Sequence, residues 1–180
     1  MYSLMKVVKK KICLLGTFAV GKTSTVERFV YSRFDERYLT TIGVRVSQKL
    51  LPPMTVPGKP EQIQYNLLIW DIAAMDRFDA VVENYYRGAA GALAVGDLTR
   101  PDSFTHLEEI CARFRSVNPQ AAFVVAANKV DLQAPNTALM QAVDRLTAVC
   151  GPPAFTTSAK SGENVEAAFL ELARKMGGLP

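Results

Sequence analysis

The chain is poor in cysteine and has no long apolar run. Its three cysteines lie at positions 13, 111 and 150, and this odd number, so widely spaced, argues against a disulfide framework. We expect reduced, buried thiols in a reducing compartment. No apolar stretch approaches the roughly 18 residues of a membrane span, and the N-terminus has no signal-peptide pattern. The sequence therefore predicts a cytoplasmic protein.

Other features that are absent narrow the class of protein further. Position 2 is not glycine and no cysteine lies near position 180, so the sequence as given predicts no myristoyl or prenyl anchor. The net charge of +4 is too small to indicate nucleic acid or a membrane surface as a partner. No repeat, low-complexity tract or linker interrupts the chain. We expect one domain over residues 1–180, and a monomer.

The order of apolar and periodic segments predicts the fold class. Short β-rich runs at 11–15, 44–51, 63–71, 89–96, 121–127 and 154–158 are separated by helical patterns at 22–32, 101–117, 137–149 and 163–176. The segment Pro52–Pro60 between the second and third runs has four prolines and one glycine, which we expect to exclude regular structure. This pattern is typical of an α/β protein with about six strands, mostly parallel, and helices on both faces.

A phosphate-binding loop is the strongest motif. Residues 16–23 read GTFAVGKT, the pattern Gly-x-x-x-x-Gly-Lys-Thr, between a predicted strand and a predicted helix. The glycines allow the backbone to curl so that successive N–H groups face a phosphate chain, and the lysine reaches the β- and γ-phosphates. The threonine hydroxyl is a ligand for Mg²⁺. The predicted phosphate-binding residues in this loop are Gly16, Ala19, Val20, Gly21, Lys22 and Thr23.

Three further segments follow in an order that indicates a guanine nucleotide. Asp71 ends an apolar strand, where its carboxylate can orient the water shell of Mg²⁺. Asp131 can accept hydrogen bonds from guanine N1–H and the exocyclic amine, a donor pair that adenine lacks. Asn128 can meet N7 and O6, and the Lys129 stem can cover one face of the base. Ser158, Ala159 and Lys160 form the last segment, in which the Ala159 N–H can bind O6.

With these motifs the chain resembles a Ras-superfamily small GTPase, a P-loop NTPase with a small G domain, and most closely the Rab branch. The resemblance also includes Thr41-Ile42-Gly43-Val44, Trp70-Asp71 and Tyr85-Tyr86-Arg87-Gly88-Ala89. It implies that Thr41 binds Mg²⁺ when the γ-phosphate is present. It also implies that Phe34 stacks on guanine, that Tyr38 lies over the phosphates, and that the Ala74 N–H binds the γ-phosphate.

The second switch segment departs from the Rab pattern. Rab-like proteins follow the metal-site aspartate with Thr-Ala-Gly-Gln-Glu, whereas residues 72–76 here read Ile-Ala-Ala-Met-Asp. Met75 replaces the glutamine that orients the attacking water, and Ala74 replaces a glycine and restricts the backbone. Phe18 stands where the family has a small residue, next to the space for an activating protein's arginine. We therefore assign no catalytic residue, because Met75 replaces the usual glutamine, and we expect slow hydrolysis of GTP.

These observations predict a Rab-like switch that binds GTP or GDP with Mg²⁺ and hydrolyses GTP weakly. Residues 34–46 and 72–87 are its expected surface for effectors, an exchange factor and an activating protein. Such an activating protein can supply an arginine and a glutamine, and Arg37 or Arg77 could act from within the chain. Two alternatives stay open, namely a competent GTPase with an unconventional catalytic residue and a scaffold whose switches do not respond to nucleotide. A P-loop kinase is the weakest alternative, because it would not need the guanine segments.

Overall fold

The structure is a computed structural model that describes residues 5–35, 41–55, 62–73 and 80–177. Within these ranges the chain forms seven strands and five helices. The strands are β1 (Met5–Leu15), β2 (Val44–Leu50), β3 (Met54–Thr55), β4 (Gln62–Ile72), β5 (Gly91–Asp97), β6 (Ala122–Asn128) and β7 (Ala154–Thr156). The helices are α1 (Lys22–Tyr31), α2 (Ala80–Tyr86), α3 (Asp102–Val117), α4 (Thr137–Cys150) and α5 (Val165–Met176).

All seven strands belong to one sheet. Six of them have the order β2-β4-β1-β5-β6-β7, and the short strand β3 pairs with β4. The strands β4, β1, β5, β6 and β7 run parallel, whereas β2 and β3 are antiparallel to β4. Helices connect the parallel strands because a parallel pair needs a long crossover. The parallel strands consequently end along one edge of the sheet, where α/β proteins place their ligand loops.

Helices cover both faces of the sheet, as the sequence predicted. On one face, α1 and α5 pack together, and the stacked rings of Phe29 and Phe169 have centroids 3.9 Å apart. On the other face, α2, α3 and α4 bury residues such as Phe104, Phe114 and Leu146 against the strands. Every residue of β5 is buried, which explains why this strand reads as an unbroken apolar run that ends in one polar residue.

Local packing fixes how the helix α3 lies against the sheet. A Cβ atom at Gly96 would lie 2.3 Å from the ring of Phe104, so only glycine lets this aromatic ring lie directly on β5. The α4 helix begins after Asn136, whose side chain accepts a hydrogen bond from the Leu139 N–H and so caps the helix. Short connections and such caps place the loops that follow β5 and β6 beside each other.

The structure differs from the sequence prediction in three places. Met54 and Thr55 form the short strand β3 inside the proline-rich segment, so the expectation that this segment excludes regular structure was wrong, and the sheet has seven strands instead of about six. This short strand avoids Pro52 and Pro53, which precede it, and needs only two residues to pair with β4. The strand β1 begins at Met5 because it pairs with β4 over that length. The helix α2 was not predicted.

Candidate nucleotide-binding site

The motif residues lie at or just after the carboxyl ends of four of the five parallel strands, β1, β4, β6 and β7. The phosphate loop, residues 16–21, leaves β1 at Leu15 and enters α1 at Lys22, and Asp71 lies near the end of β4. Asn128 is the last residue of β6, and the segment 158–160 follows β7. The strand order places β4, β1, β5 and β6 side by side, so segments far apart in sequence meet at one edge.

The phosphate loop has the backbone conformation that its glycines allow. Gly21 precedes α1 with φ of 100°, and a Cβ there would lie 2.4 Å from the Asn128 side chain. A Cβ at Gly16 would lie 2.4 Å from the Val95 carbonyl oxygen. Ala19 also adopts a positive φ, of 62°, although it is not glycine. The loop is therefore a tightly curled turn that approaches β5 and β6 closely.

The Lys22 ammonium lies inside this turn. Its Nζ donates to the carbonyl oxygens of Gly16 at 2.8 Å and Thr17 at 3.0 Å. Burial lowers the pKa of Lys22 to about 8, the nearby Asp71 charge opposes this shift, and Arg100 adds to it. A buried ammonium with two neutral carbonyl partners is under-compensated in charge, and an anion at the loop would supply the missing partner.

Three oxygen-bearing side chains meet beside the loop. The Thr23 hydroxyl donates to Asp71 Oδ2 at 2.5 Å and lies 2.7 Å from the Thr41 hydroxyl, which is 3.5 Å from the same carboxylate oxygen. Asp71 is 1% exposed, and its Oδ1 is the one buried side-chain polar atom in the described chain without a hydrogen-bond partner. Burial raises the pKa of Asp71, and the Thr23 hydrogen bond and the Lys22 charge oppose this shift.

This oxygen cluster fits a hard divalent cation. Hydroxyl and carboxylate oxygens are the ligands that Mg²⁺ prefers, and an orphaned buried carboxylate oxygen is a costly feature without a ligand. Among the described residues no group of three or more His, Cys, Asp or Glu side chains is placed to hold a metal. The donor set suits Mg²⁺, which keeps several waters and also binds substrate phosphates, better than a metal that needs a closed protein cage.

The segments predicted to bind guanine are joined to one another and to the phosphate loop through Asn128. Its side-chain amide donates to the Val20 carbonyl at 2.9 Å, and its Oδ1 accepts from the Ala159 N–H at 3.1 Å. The Ser158 hydroxyl donates to Asp131 Oδ1 at 2.6 Å. Asn128 and Ala159 are buried, whereas Asp131 is exposed, which leaves its carboxylate accessible to a ligand.

Two charged side chains on neighbouring elements support these segments. Lys129 Nζ donates to the Ala19 carbonyl at 2.9 Å and pairs with Asp97 at 2.7 Å. The Arg28 guanidinium of α1 donates to the carbonyls of Ala159, at 2.8 Å, and Lys160. Both contacts attach the base-side loops to the phosphate-loop side of the sheet, so the two halves of the candidate site form one hydrogen-bonded unit.

Of the remaining predicted residues, the structure describes Phe34 and Phe18. Phe34 is half-buried beyond the end of α1, and the Phe18 side chain is 55% exposed. The predictions for Arg37, Tyr38, Ala74, Met75 and Arg77 lie outside the described residues. The structure brings the predicted loops together at one edge of the sheet, and the roles given to their individual residues stay predictions.

Sequence reasoning missed Asp97 and Arg100. Asp97 is the last residue of β5 and fully buried; it accepts hydrogen bonds from Thr99 N at 2.9 Å and Thr99 Oγ1 at 2.7 Å. Burial acts to raise its pKa, but the hydrogen bonds from Lys129 and Thr99 outweigh it and hold the pKa below the ordinary range. The available signal was an aspartate at the end of an apolar strand, the pattern that identified Asp71.

The described parts of the two predicted partner-binding segments lie side by side. The Ala73 N–H donates to the Gly43 carbonyl at 2.9 Å where β4 ends and β2 begins. Ile42 is 92% exposed and Val46 is 51% exposed, although both are large and apolar. Two large apolar side chains are therefore exposed beside the candidate site.

The family profile and the relatives that match this chain all belong to one group of proteins. The sequence profile of the Ras family matches residues 11–177. The chain is 34% identical over 174 residues to Ras-related protein Rab-31 of Homo sapiens, an alignment that covers 96% of this chain and 86% of that protein. It is 33% identical to Ras-related protein Rab-21 of Bos taurus over 92% of this chain and 72% of that protein. Ras-related protein Rab-13 of Mesocricetus auratus is 34% identical, with 93% and 82% covered. None of the described helices is long and apolar enough to cross a membrane.

Proposed function

Because the chain belongs to the Ras family of small GTPases, in its Rab branch, we propose that it is a Mg²⁺-dependent guanine-nucleotide switch that hydrolyses GTP slowly. The observation that carries the proposal is Asn128, which joins the phosphate loop to the Ala159 segment by hydrogen bonds at 2.9 Å and 3.1 Å. A ligand that binds both the phosphate loop and the Ala159 segment would carry a phosphate chain at one end and a base at the other.

The phosphate chain lies along the N–H groups of residues 19–23 in this proposal. Lys22 keeps its two carbonyl partners and donates its third N–H to phosphate oxygens, which gives it the counter-charge that its buried position lacks. Thr23, Thr41 and Asp71 hold Mg²⁺, with Asp71 acting through water. The chemistry that the bound cation supplies is neutralisation of the β- and γ-phosphates. The Ala74 N–H completes the set of donors to the γ-phosphate.

The base lies between the segments that follow β6 and β7. Asp131 accepts from the two guanine donors, and the Ala159 N–H and Asn128 side chain face O6 and N7. Lys129 covers one face of the ring with its stem, and Phe34 stacks on the guanine. Adenine would leave the Asp131 carboxylate unpaired and is rejected for that reason. The Ser158 hydrogen bond holds Asp131 in place.

The switch responds to the γ-phosphate through residues 34–46 and 72–87. Thr41 belongs to the first segment and lies within hydrogen-bond distance of Thr23, so its position depends on what Thr23 and Asp71 bind. The Gly43–Ala73 hydrogen bond couples the start of β2 to the second segment. Effectors, an exchange factor and an activating protein would bind this surface in one nucleotide state and discriminate against the other.

Slow hydrolysis follows from three residues around the attacking water. Met75 has no amide to orient that water, Ala74 restricts a backbone that the family keeps flexible, and Phe18 is bulky where an activating arginine must enter. That arginine accounts for about 10³ to 10⁵ in rate where it operates, so obstruction by Phe18 is costly. An activating protein that supplies both groups would still accelerate hydrolysis.

The first experiment is to denature freshly purified protein and to measure the released GTP and GDP by chromatography. Mostly GTP supports binding without hydrolysis. Mostly GDP contradicts slow hydrolysis unless single-turnover phosphate release from loaded GTP is also slow. No guanine nucleotide, together with no binding of added GDP and Mg²⁺, would refute the proposed switch.

The second experiment tests the cause of the slow step. Met75→Gln, alone and combined with Phe18→Gly, should raise the single-turnover rate of phosphate release. Met140→Gln, on the far helix α4, is the matched control and should leave that rate unchanged. If neither Met75→Gln nor its combination with Phe18→Gly raises the rate, the explanation based on Met75 and Phe18 is wrong. Equal partner affinity for the GDP form and a GTP-analogue form would instead favour a scaffold that ignores nucleotide.

A further inference from the structure

The carbonyl groups of the phosphate loop all accept hydrogen bonds. Lys22 binds the first two, and the Thr25 N–H and hydroxyl each bind the last, that of Gly21, at 2.8 Å. The three between them bind side chains from other strands. These pairs are Arg100 with Phe18, Lys129 with Ala19, and Asn128 with Val20, at 2.6 Å, 2.9 Å and 2.9 Å.

Fixing a carbonyl group also fixes the N–H group of the next residue. A trans peptide unit is planar, and its C=O and N–H bonds point in opposite directions. The donor that holds the Phe18 carbonyl therefore directs the Ala19 N–H to the other side of the loop. The same argument applies to each successive unit, so the side chains behind the loop set the direction of the donors in front.

Arg100 is the member of this set that no sequence motif includes. Its Nη2 donates to the Phe18 carbonyl at 2.6 Å, and its Nε donates to Asp97 Oδ2 at 3.1 Å. Asp97 is fully buried and also held by Thr99, so the carboxylate is a fixed support. The guanidinium therefore bridges a rigid anchor on β5 and one peptide unit of the loop.

That peptide unit adjoins the strained residue of the loop. Ala19 has φ of 62°, a left-handed conformation that is strained for a residue other than glycine. Arg100 holds the carbonyl before Ala19, and Lys129 holds the carbonyl after it. Both cations are attached to the same Asp97 oxygen, so one buried carboxylate supports both peptide units that flank Ala19.

We infer that Arg100 is a positioning residue for the bound nucleotide, which directs the Ala19 N–H at the diphosphate group by holding the Phe18 carbonyl. The inference rests on the proposed guanine-nucleotide site. Because the contact lies behind the loop, it acts on the diphosphate and not on the γ-phosphate. GDP and GTP complexes therefore depend on Arg100 to the same extent.

The test is the release of fluorescent mant-GDP and of a mant-labelled, non-hydrolysable GTP analogue, in the presence of Mg²⁺. Arg100→Met keeps an apolar stem and removes the donors, and it should accelerate both releases about tenfold, the loss expected for a half-exposed hydrogen bond from a charged donor. Arg100→Lys keeps the charge but loses the planar set of donors that reaches Phe18 and Asp97 together. It should release both nucleotides at a rate between those of the wild type and Arg100→Met. Arg174→Met is the matched control, because Arg174 also binds an acid three residues away but on α5, and it should release nucleotide at the wild-type rate.

A phosphorus NMR spectrum of bound GDP separates positioning from general loosening. Arg100→Met should move the β-phosphate resonance, whereas Arg174→Met should not. Unchanged release in Arg100→Met, or an unmoved β-phosphate resonance, would overturn the role of Arg100. Acceleration confined to the GTP analogue would overturn it as well. If Arg100→Met does not fold, wild-type release and an unmoved resonance in Arg100→Lys refute the inference. A wild-type protein that retains no mant-GDP contradicts the proposed function itself, which keeps the two failures distinct.

Discussion

Replacing Asn128 with alanine should uncouple the two halves of the site. The Asn128 side chain is 1% exposed and makes three hydrogen bonds, to the Val20 carbonyl, from the Ala159 N–H at 3.1 Å and from the Thr157 hydroxyl at 3.3 Å. Alanine keeps β6 intact, since the substituted position is the last residue of that strand. The change therefore removes side-chain links between loops and leaves the sheet unaltered.

The magnitude follows from these bonds. At about 1 kcal/mol net for each, the three bonds together contribute roughly 3 kcal/mol to the free energy of unfolding. The bonds to Val20 and Ala159 join nucleotide-facing segments, so about 2 kcal/mol should also be lost from nucleotide binding, which is roughly thirtyfold in affinity. Both effects should appear together in Asn128→Ala.

The assay pairs urea denaturation at a fixed GDP concentration with mant-GDP release. The matched control is Asn118→Ala, because Asn118 is also a buried asparagine whose amide binds backbone carbonyls, those of Tyr86 at 2.9 Å and Phe114 at 3.4 Å. It lies after α3, outside the site. Asn118→Ala should lose about 2 kcal/mol of stability and release mant-GDP at the wild-type rate.

Equal acceleration of release in both variants would refute the reasoning, since general destabilisation would then explain the loss of nucleotide. Release from Asn128→Ala at the wild-type rate would also refute it. In that case the link between the phosphate loop and the segment after β7 would not matter for binding.

Three further predictions concern the loop, a partly exposed ion pair and the thiols. Gly16→Ala places a methyl group 2.4 Å from the Val95 carbonyl oxygen and should abolish co-purification of nucleotide, measured by chromatography after denaturation; normal retention would contradict the tight packing of the loop. The hydrogen bond from Arg33 holds the Glu27 pKa below its ordinary value, so the stability it contributes is present above about pH 4.3 and is lost as the pH falls further. Urea denaturation between pH 6 and 3 should consequently show a shallower loss of stability in Glu27→Gln than in the wild type. In the native protein the buried thiols should react slowly with Ellman's reagent, with all three reacting after denaturation, and a fast-reacting thiol in the native state would contradict their burial. These thiols belong to Cys13, Cys111 and Cys150.

The sequence predicted the fold well where long segments had one clear period. The runs that became β5 and β6 are apolar up to their last residue because helices cover both of their faces, and the first predicted guanine-binding segment begins at the end of β6. The helix α2 was missed because it has only seven residues and begins in a segment that the sequence resemblance had assigned to the second switch. The strand β3 was missed because two residues carry no period, and only pairing with β4 defines them.

The candidate site was predicted in its motifs but not in its supports. Lys22, Asn128 and Asp131 lie in short patterns whose spacing matches the phosphate and base they are proposed to bind. Asp97 and Arg100 lie on another strand and its following turn, and their importance arises from contacts with the phosphate loop that have no pattern in sequence.

The sequence by itself predicted which loops form the candidate site, because the spacing of the glycines, the lysine and the aspartates is the pattern that a phosphate chain and a guanine base would require. Only the tertiary structure decided what holds those loops. The parallel order of β1, β5 and β6 brings Asp97 beneath the phosphate loop, where burial and two cations fix its charge. Through those cations a residue far along the chain sets the direction of a backbone N–H group in the loop, an effect that depends on distance in space and not on position in sequence.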